Sequence, residues 1–321
     1  MNPMLTSLTV SPLQINRTTL HNYYFNSILD YINSQYLTIP EMIKAKGINF
    51  RVSVVGNCNL NCNFCHNEGG PKNGRIDESI LHRSMSAARH IGFTRIQFTG
   101  GEPLLSKKIC DYAYCAAKLF DEVGITTNGV LINSKLDRLL DSGVNRIHIS
   151  PQIEDLSHNG DRWNIPGWLS EVLSKSINTS AKFRINLPAP INKMGLVADF
   201  LRELSNYNCD IEVFSILPYG DYLEDEYDMD KANELVAREN LYREINNKKG
   251  KVSLRGFHRP IGIRCDQCNS RNRCVDKSHA LRLGVDNVLR PCLATRTWDM
   301  PLHINNVEDI LFRATVLTLD Y

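Results

Sequence analysis

No stretch of the chain approaches about 18 uninterrupted apolar residues, so no membrane-spanning helix is expected. The opening segment, MNPMLTSLTVSPLQINRTTL, has no basic flank, apolar central region or small-residue cleavage site, so no secretory leader is expected either. Charge of one sign is also missing. The 37 Lys and Arg nearly balance 35 Asp and Glu, for a net charge of +2, which argues against a broad basic face for nucleic acid or a membrane surface. There is no internal repeat and no low-complexity tract, and 42% hydrophobic with 22% charged residues excludes disordered and collagen-like classes. These absences together predict a cytoplasmic globular protein with no nucleic-acid and no membrane partner. Its 321 residues suffice for one large core, or for a core with a smaller appended module.

What the chain does have is cysteine, ten in all. In a long chain with no secretion signal, clustered thiols point to metal rather than to a disulfide scaffold. Seven fall into two groups: Cys58, Cys62 and Cys65, and then Cys265, Cys268, Cys274 and Cys292. Cys110, Cys115 and Cys209 stand apart and read as buried apolar residues.

Between residues 49 and 217, β-rich runs (NFRVSVV, RIQFT, EVGITT, NRIHIS, KFRINL, DIEVFSIL) alternate with helical patterns. After Asp77, a candidate N-cap, Ile80, Leu81, Met85, Ala88 and Ile91 recur near helical spacing. Further helical stretches are expected near 106–120, 133–142, 164–178 and 193–206. Six strands separated by helices imply an α/β fold with parallel pairing through right-handed crossovers, as an open sheet or a full or partial barrel. Ligands then belong at the C-terminal ends of the strands. The first cysteine group follows the first strand, GGEP (100–103) the second and Asn128-Gly129 the third, so these loops converge on one face. Three regions are expected: a helical N-terminal extension over 1–46, a core over 47–220, and a C-terminal extension over 221–321 that carries the second cysteine group.

The stretch CNLNCNFC leaves three answers open: a disulfide knot, zinc or an iron-sulfur cluster. A structural zinc site wants four tetrahedral ligands, and His66, directly beside Cys65, is poorly placed to be the fourth. Cysteine thiolates in a short loop also hold iron-sulfur clusters, and three thiolates leave one iron of a four-iron cluster open. The spacing C-x3-C-x-Φ-C, with Phe64 at Φ, resembles the signature of the radical S-adenosylmethionine (SAM) superfamily, and FTGGEP after the second strand resembles its GGE motif. The resemblance extends through ITTNG (125–129) to Ser150 at the end of the fourth strand. It implies a partial (βα)6 TIM-type barrel and a [4Fe-4S] cluster on Cys58, Cys62 and Cys65. SAM would lie against Phe64, Gly100, Gly101, Glu102, Pro103, Asn128 and Ser150, with Glu102 gripping the methionine amino group. In that family the open iron chelates SAM, and an electron from the reduced cluster releases a 5'-deoxyadenosyl radical that takes hydrogen from a substrate. An external donor such as flavodoxin or ferredoxin is the implied electron source.

The second group, C-x2-C-x5-C-x17-C, satisfies zinc or a cluster equally when read in isolation. Beside a radical SAM core the resemblance favours a second [4Fe-4S] cluster on Cys265, Cys268, Cys274 and Cys292, in a SPASM/twitch-like segment. The tail ALRLGVDNVLRPCL, with RVSVVGNCNLNCNFC upstream, is similar to the GTP 3',8-cyclases of molybdenum cofactor biosynthesis. Two departures stand out. Cys274 offers a fourth ligand where the cyclases use three, and of the cyclase arginines that read the triphosphate only Arg51 and Arg282 match, the others falling on Gln97, Val213 and Ala280. The resemblance therefore implies a small polar metabolite other than GTP (a nucleotide, nucleoside or sugar), converted by hydrogen abstraction and cyclisation or a related rearrangement. Arg51, Arg282 and Arg184 are its candidate contacts. The alternative is a peptide-modifying maturase with an auxiliary cluster.

Overall fold

The computed structural model describes residues 17–35, 37–62, 65, 70–151, 158–159, 162–163, 165–188, 200–204, 206–207, 209–214, 252–255, 265, 280–293 and 295–319. The sites expected at Phe64, Cys268 and Cys274 lie outside the described residues.

All six expected strands are present: β1 (Asn49–Val55), β2 (Arg95–Gly100), β3 (Glu122–Thr127), β4 (Arg146–Ile149), β7 (Lys182–Pro188) and β8 (Asp210–Phe214). A short antiparallel hairpin, β5 (His158–Asn159) and β6 (Arg162–Trp163), lies between β4 and β7. The main sheet has ten strands in the order β12-β11-β10-β1-β2-β3-β4-β7-β8-β9. Neighbours from β10 to β9 are parallel, as crossover connections demand. The architecture is the partial barrel expected from the sequence, widened at both edges. β9 (Val252–Arg255) joins β8, and β10 (Ala280–Leu283) joins β1 with Arg51 opposite Arg282. The hairpin continues antiparallel through β11 (Val288–Arg290) to β12 (Met300–Pro301). The described part of the C-terminal extension thus completes the central sheet instead of forming a layer of its own. Leu281 and Leu283 alternate with Arg282 and bury themselves in the common core, which is why this segment docks there.

Period-two alternation gives the sheet two unlike faces. Phe50, Val52 and Val54 on β1, Ile96 and Phe98 on β2, Val123 and Ile125 on β3, Ile147 and Ile149 on β4, and Phe183, Ile185 and Leu187 on β7 are buried against the helices. The opposite face carries Arg51, Ser53, Gln97, Thr99, Thr126, His148, Arg184, Asn186, Glu212 and Arg282, a polar lining inside a barrel-like sheet. The covering helices are α3 (Glu78–Ile91), α4 (Ile109–Ala117), α5 (Leu136–Asp141), α6 (Gly167–Lys175) and α7 (Val307–Leu319). Asp77 does cap α3: its Oδ1 accepts from the Ile80 amide at 3.0 Å, and Gly92 ends the helix in a left-handed conformation.

The N-terminal extension is helical where described, with α1 (Arg17–Ser34) and α2 (Ile39–Lys46). α2 opens with a Thr38–Glu41 capping box. α1 packs on the C-terminal part of the chain, with Tyr24 edge-on to Trp298 at 5.1 Å between ring centroids and Phe25 edge-on to Phe312 at 6.3 Å. No described helix is long and apolar enough to cross a membrane.

Candidate functional site

Because β1, β2, β3 and β4 are parallel and adjacent, their C-terminal ends lie along one edge, where the loops opening at Gly56, Gly101, Asn128 and Ser150 meet. The loop after β1 is tied to the one after β2 by backbone bonds: Gly101 N to Val55 O at 2.7 Å and Glu102 N to Asn57 O at 2.8 Å. The approach is so close that a Cβ at Gly101 would overlap the carbonyl oxygens of Gly56 and Asn57. In the structure Gly101 lets the second loop lie directly against the base of the first.

Glu102 is fully buried. Its Oε1 accepts from the Leu104 amide at 2.9 Å and the Thr127 hydroxyl at 2.8 Å, and its Oε2 accepts from the Asn128 amide at 2.8 Å. Burial outweighs these donors and holds the carboxyl above its ordinary range. One acceptor position of Oε2 remains beyond these three bonds, so the carboxylate joins the second and third loops with little capacity left over. The turn it fixes carries Asn128, whose side-chain amide donates to Asn59 Oδ1 at 2.8 Å and stands 3.8 Å from Cys58 Sγ. Leu60 N also donates to Cys58 Sγ, at 3.4 Å. Thr127, within the ITTNG motif, links the turn from both sides, bonding Glu102 and accepting from Gly129 N at 3.1 Å. Pro103 is buried and opens the short helical turn 103–105 that places the Leu104 amide.

The three thiols of the first group sit on this edge, with Cys58 and Cys65 exposed and Cys62 partly so. Exposed thiols in a short loop anchored at its base suit cluster ligation. Among the described residues no three His, Cys, Asp or Glu side chains converge as the ligands of one ion would. In the second group Cys292 is buried beside β11 and Cys265 is partly exposed.

On the polar face, Arg51 and Arg282 are register partners, and Arg282 is buried. Arg184 Nη1 pairs with Glu212 Oε2 at 2.9 Å, and the Asn186 amide donates to Ser150 Oγ at 3.2 Å. This brings Ser150, Arg184, Arg51 and Arg282 onto the same lining. Gln97 donates to Thr126 Oγ1 at 3.0 Å and fills the space above Gly124. Its amide cross-links β2 and β3. Ala280 is buried at the start of β10. Of the isolated cysteines, Cys209 is buried, with its thiol pushed up to about 12 by desolvation, while Cys110 and Cys115 are partly buried on α4.

Comparison with known proteins agrees with this geometry. Residues 52–158 match the radical SAM superfamily. A probable GTP 3',8-cyclase of Methanosarcina mazei is 29% identical over 292 residues, covering 84% of this chain and 84% of the relative. The GTP 3',8-cyclase of Clostridium acetobutylicum is 27% identical, covering 81% of this chain and 86% of its own. Among solved structures, Streptococcus suis SuiB bound to S-adenosylmethionine superposes with a TM-score of 0.59 at 18% identity, over 77% of this chain and 60% of SuiB. That likeness establishes the fold. Members of the matched family use a [4Fe-4S] cluster and SAM. The chain carries a radical SAM domain over residues 52–158 and is an enzyme, with GTP 3',8-cyclases among its relatives.

Proposed function

We propose that the protein uses a SAM-derived radical to abstract hydrogen from a small polar metabolite other than GTP, leading to cyclisation or a related rearrangement. The observation that carries this reading is the pairing of two features. Three accessible thiols sit on a loop braced by the GGEP and TNG turns, and a polar sheet face opens beside them. Cys58, Cys62 and Cys65 are the ligands of the site cluster, and Cys265, Cys268, Cys274 and Cys292 those of a second [4Fe-4S] cluster. When bound, the reduced cluster and SAM supply a 5'-deoxyadenosyl radical.

The chain's own groups bind, orient and shield. Glu102 fixes the Asn128 turn, and Asn128 sets its amide beside Cys58. The backbone of 100–103, Phe64 and Ser150 contact SAM. Arg51 and Arg282, side by side on β1 and β10, hold one anionic or strongly polar substrate group. The Arg184–Glu212 pair offers charged hydrogen-bonding edges to hydroxyls. GTP is disfavoured because the amide of Gln97 is engaged by Thr126 and replaces a guanidinium, which leaves a triphosphate short of anchors. The small-molecule class accords with the cyclase relatives over most of the chain.

The test is to incubate the anaerobically reconstituted, dithionite-reduced enzyme with SAM and deuterated candidates, nucleotides first, and to look for deuterium in 5'-deoxyadenosine. Transfer from a nucleoside, nucleotide or sugar is expected. Transfer from a peptide and from none of these would overturn the substrate class, and efficient transfer from C3' of GTP would show that the missing arginines are dispensable.

A further inference from the structure

Arg290 closes β11, two residues before Cys292, and its side chain is 5% exposed. The guanidinium grips the carboxylate of Asp286 with a two-pronged fork: Nη1 donates to Oδ1 at 2.9 Å and Nη2 to Oδ2. Nη1 also lies 3.3 Å from Val288 O, and Nε stands 3.5 Å from Asp299 Oδ2, which Arg296 approaches at 3.9 Å. The fork runs so close beneath the β10–β11 turn that a Cβ at Gly284 would overlap both Arg290 and Asp286. A buried cation between two carboxylates is an expensive way to stabilise a hairpin, since apolar residues of the same volume do as well or better. It does confer a fixed geometry.

What that geometry holds lies elsewhere in the sequence. The Asp286 carboxylate lies near Gly70, 3.4–3.5 Å from where a Cβ there would stand, and the neighbouring Val285 side chain fills the space that a Cβ at Gly74 would need. Residues 70–74 are in turn bonded to the base of the first cysteine loop. Gly56 N donates to Gly74 O at 2.8 Å, Ile76 N donates to Val54 O at 3.2 Å, and Gly56 packs directly on the Pro71 carbonyl. Gly56 stands two residues before Cys58. A series of contacts and short backbone links therefore runs from Cys292 through Arg290, Asp286 with its neighbour Val285, Gly74 and Gly56 to Cys58.

We propose that Arg290 is a positioning residue for both cysteine groups. By clamping Asp286 it seats the 284–287 turn on residues 70–76, and this seat sets the backbone ahead of Cys58, so that the hairpin ending in Cys292 and the loop opening at Cys58 move as one body. The inference rests on the ligand assignments proposed above for its consequence, but not for its test, which uses the apoprotein.

Hydrogen exchange read by mass spectrometry on full-length Arg290→Met, Arg290→Lys and Asp286→Asn measures the coupling. Arg290→Met and Asp286→Asn should accelerate exchange about ten-fold in peptides spanning 54–58 and 70–76, the equivalent of one lost charge-assisted hydrogen bond. Peptides from β2 and β4 should be unchanged, and Arg290→Lys, which keeps the charge without the fork, should fall between. Should Arg290→Met fail to fold, Asp286→Asn alone carries the measurement. Acceleration confined to 284–302, or spread evenly over all peptides, would overturn the proposal. The two readings separate cleanly. Coupled exchange in a protein that takes up no iron sustains the coupling and refutes the cluster assignment. Two clusters with unaltered exchange at 54–76 would do the reverse.

Discussion

Replacing Glu102 removes the acceptor at the junction of the second and third site loops. In Glu102→Ala, Leu104 N and Asn128 N lose their partners, and so does the Thr127 hydroxyl. The hydroxyl can turn toward another acceptor, whereas the two amides cannot. At about 1–3 kcal/mol for each buried donor left unmet, the substitution should cost about 2–6 kcal/mol. Glu102→Gln keeps an oxygen for Leu104 and Thr127 but turns an NH2 toward the Asn128 amide, so about 1–3 kcal/mol is expected. The pH dependence follows from the raised carboxyl. The native state binds this proton more tightly than the unfolded chain does, so the contribution of Glu102 is fully present below the ordinary carboxyl range and is lost as pH rises toward the native value. The stability gap between wild type and Glu102→Gln should therefore narrow with rising pH across that window. Urea unfolding of the apoprotein by circular dichroism at several pH values measures both effects, with unchanged slopes confirming comparable end states. A Glu102→Ala protein within about 0.5 kcal/mol of wild type, below the cost of even one orphaned amide, would refute the reasoning.

Alanine at Cys58, Cys62 or Cys65 should abolish release of 5'-deoxyadenosine, and survival of that activity would exclude the loop as the cluster site. Cys265→Ala should lower the iron content from about eight to about four per chain, as expected for the loss of one of two cubanes; a count near four in the wild type, unchanged by the substitution, would remove the second cluster. Gly101→Ala forces a methyl onto the Gly56 and Asn57 carbonyls, and about 1–3 kcal/mol of overpacking together with poor iron retention is expected. Arg184→Met strips a partly buried carboxylate of its 2.9 Å partner and should cost about 2–4 kcal/mol, part of which returns in the double variant Arg184→Met/Glu212→Leu; additive losses on unfolding would show that the pair is not coupled.

The six core strands and the convergence of three loops were legible because each strand alternates cleanly and each motif sits directly after one. The added strands β10 and β11 were not. Four and three residues offer too few alternations to register, and the partner of β10 lies at the other end of the chain. Likewise, GGEP announced a carboxylate at the site, but nothing in a sequence tells whether that carboxylate faces a ligand or three donors of its own chain. Arg290 and Asp286 carried a weak signal, opposite charges four apart across a turn, and the packing on Gly70 and Gly74 that gives the pair its reach is visible only in three dimensions.

The position of β1 between β2 and β10 also dictates an order of assembly. While the ribosome is still making residues before 280, β1 has β2 on one side and a bare row of amides and carbonyls on the other. The loop at Cys58 likewise lacks the hairpin on which residues 70–76 come to rest. A nascent or truncated chain thus presents an unfinished sheet edge beside three cysteines, and closing it needs a pairing of very long sequence separation, which forms slowly. Chains stalled before β10 would therefore be a hazard for aggregation until the last strand arrives.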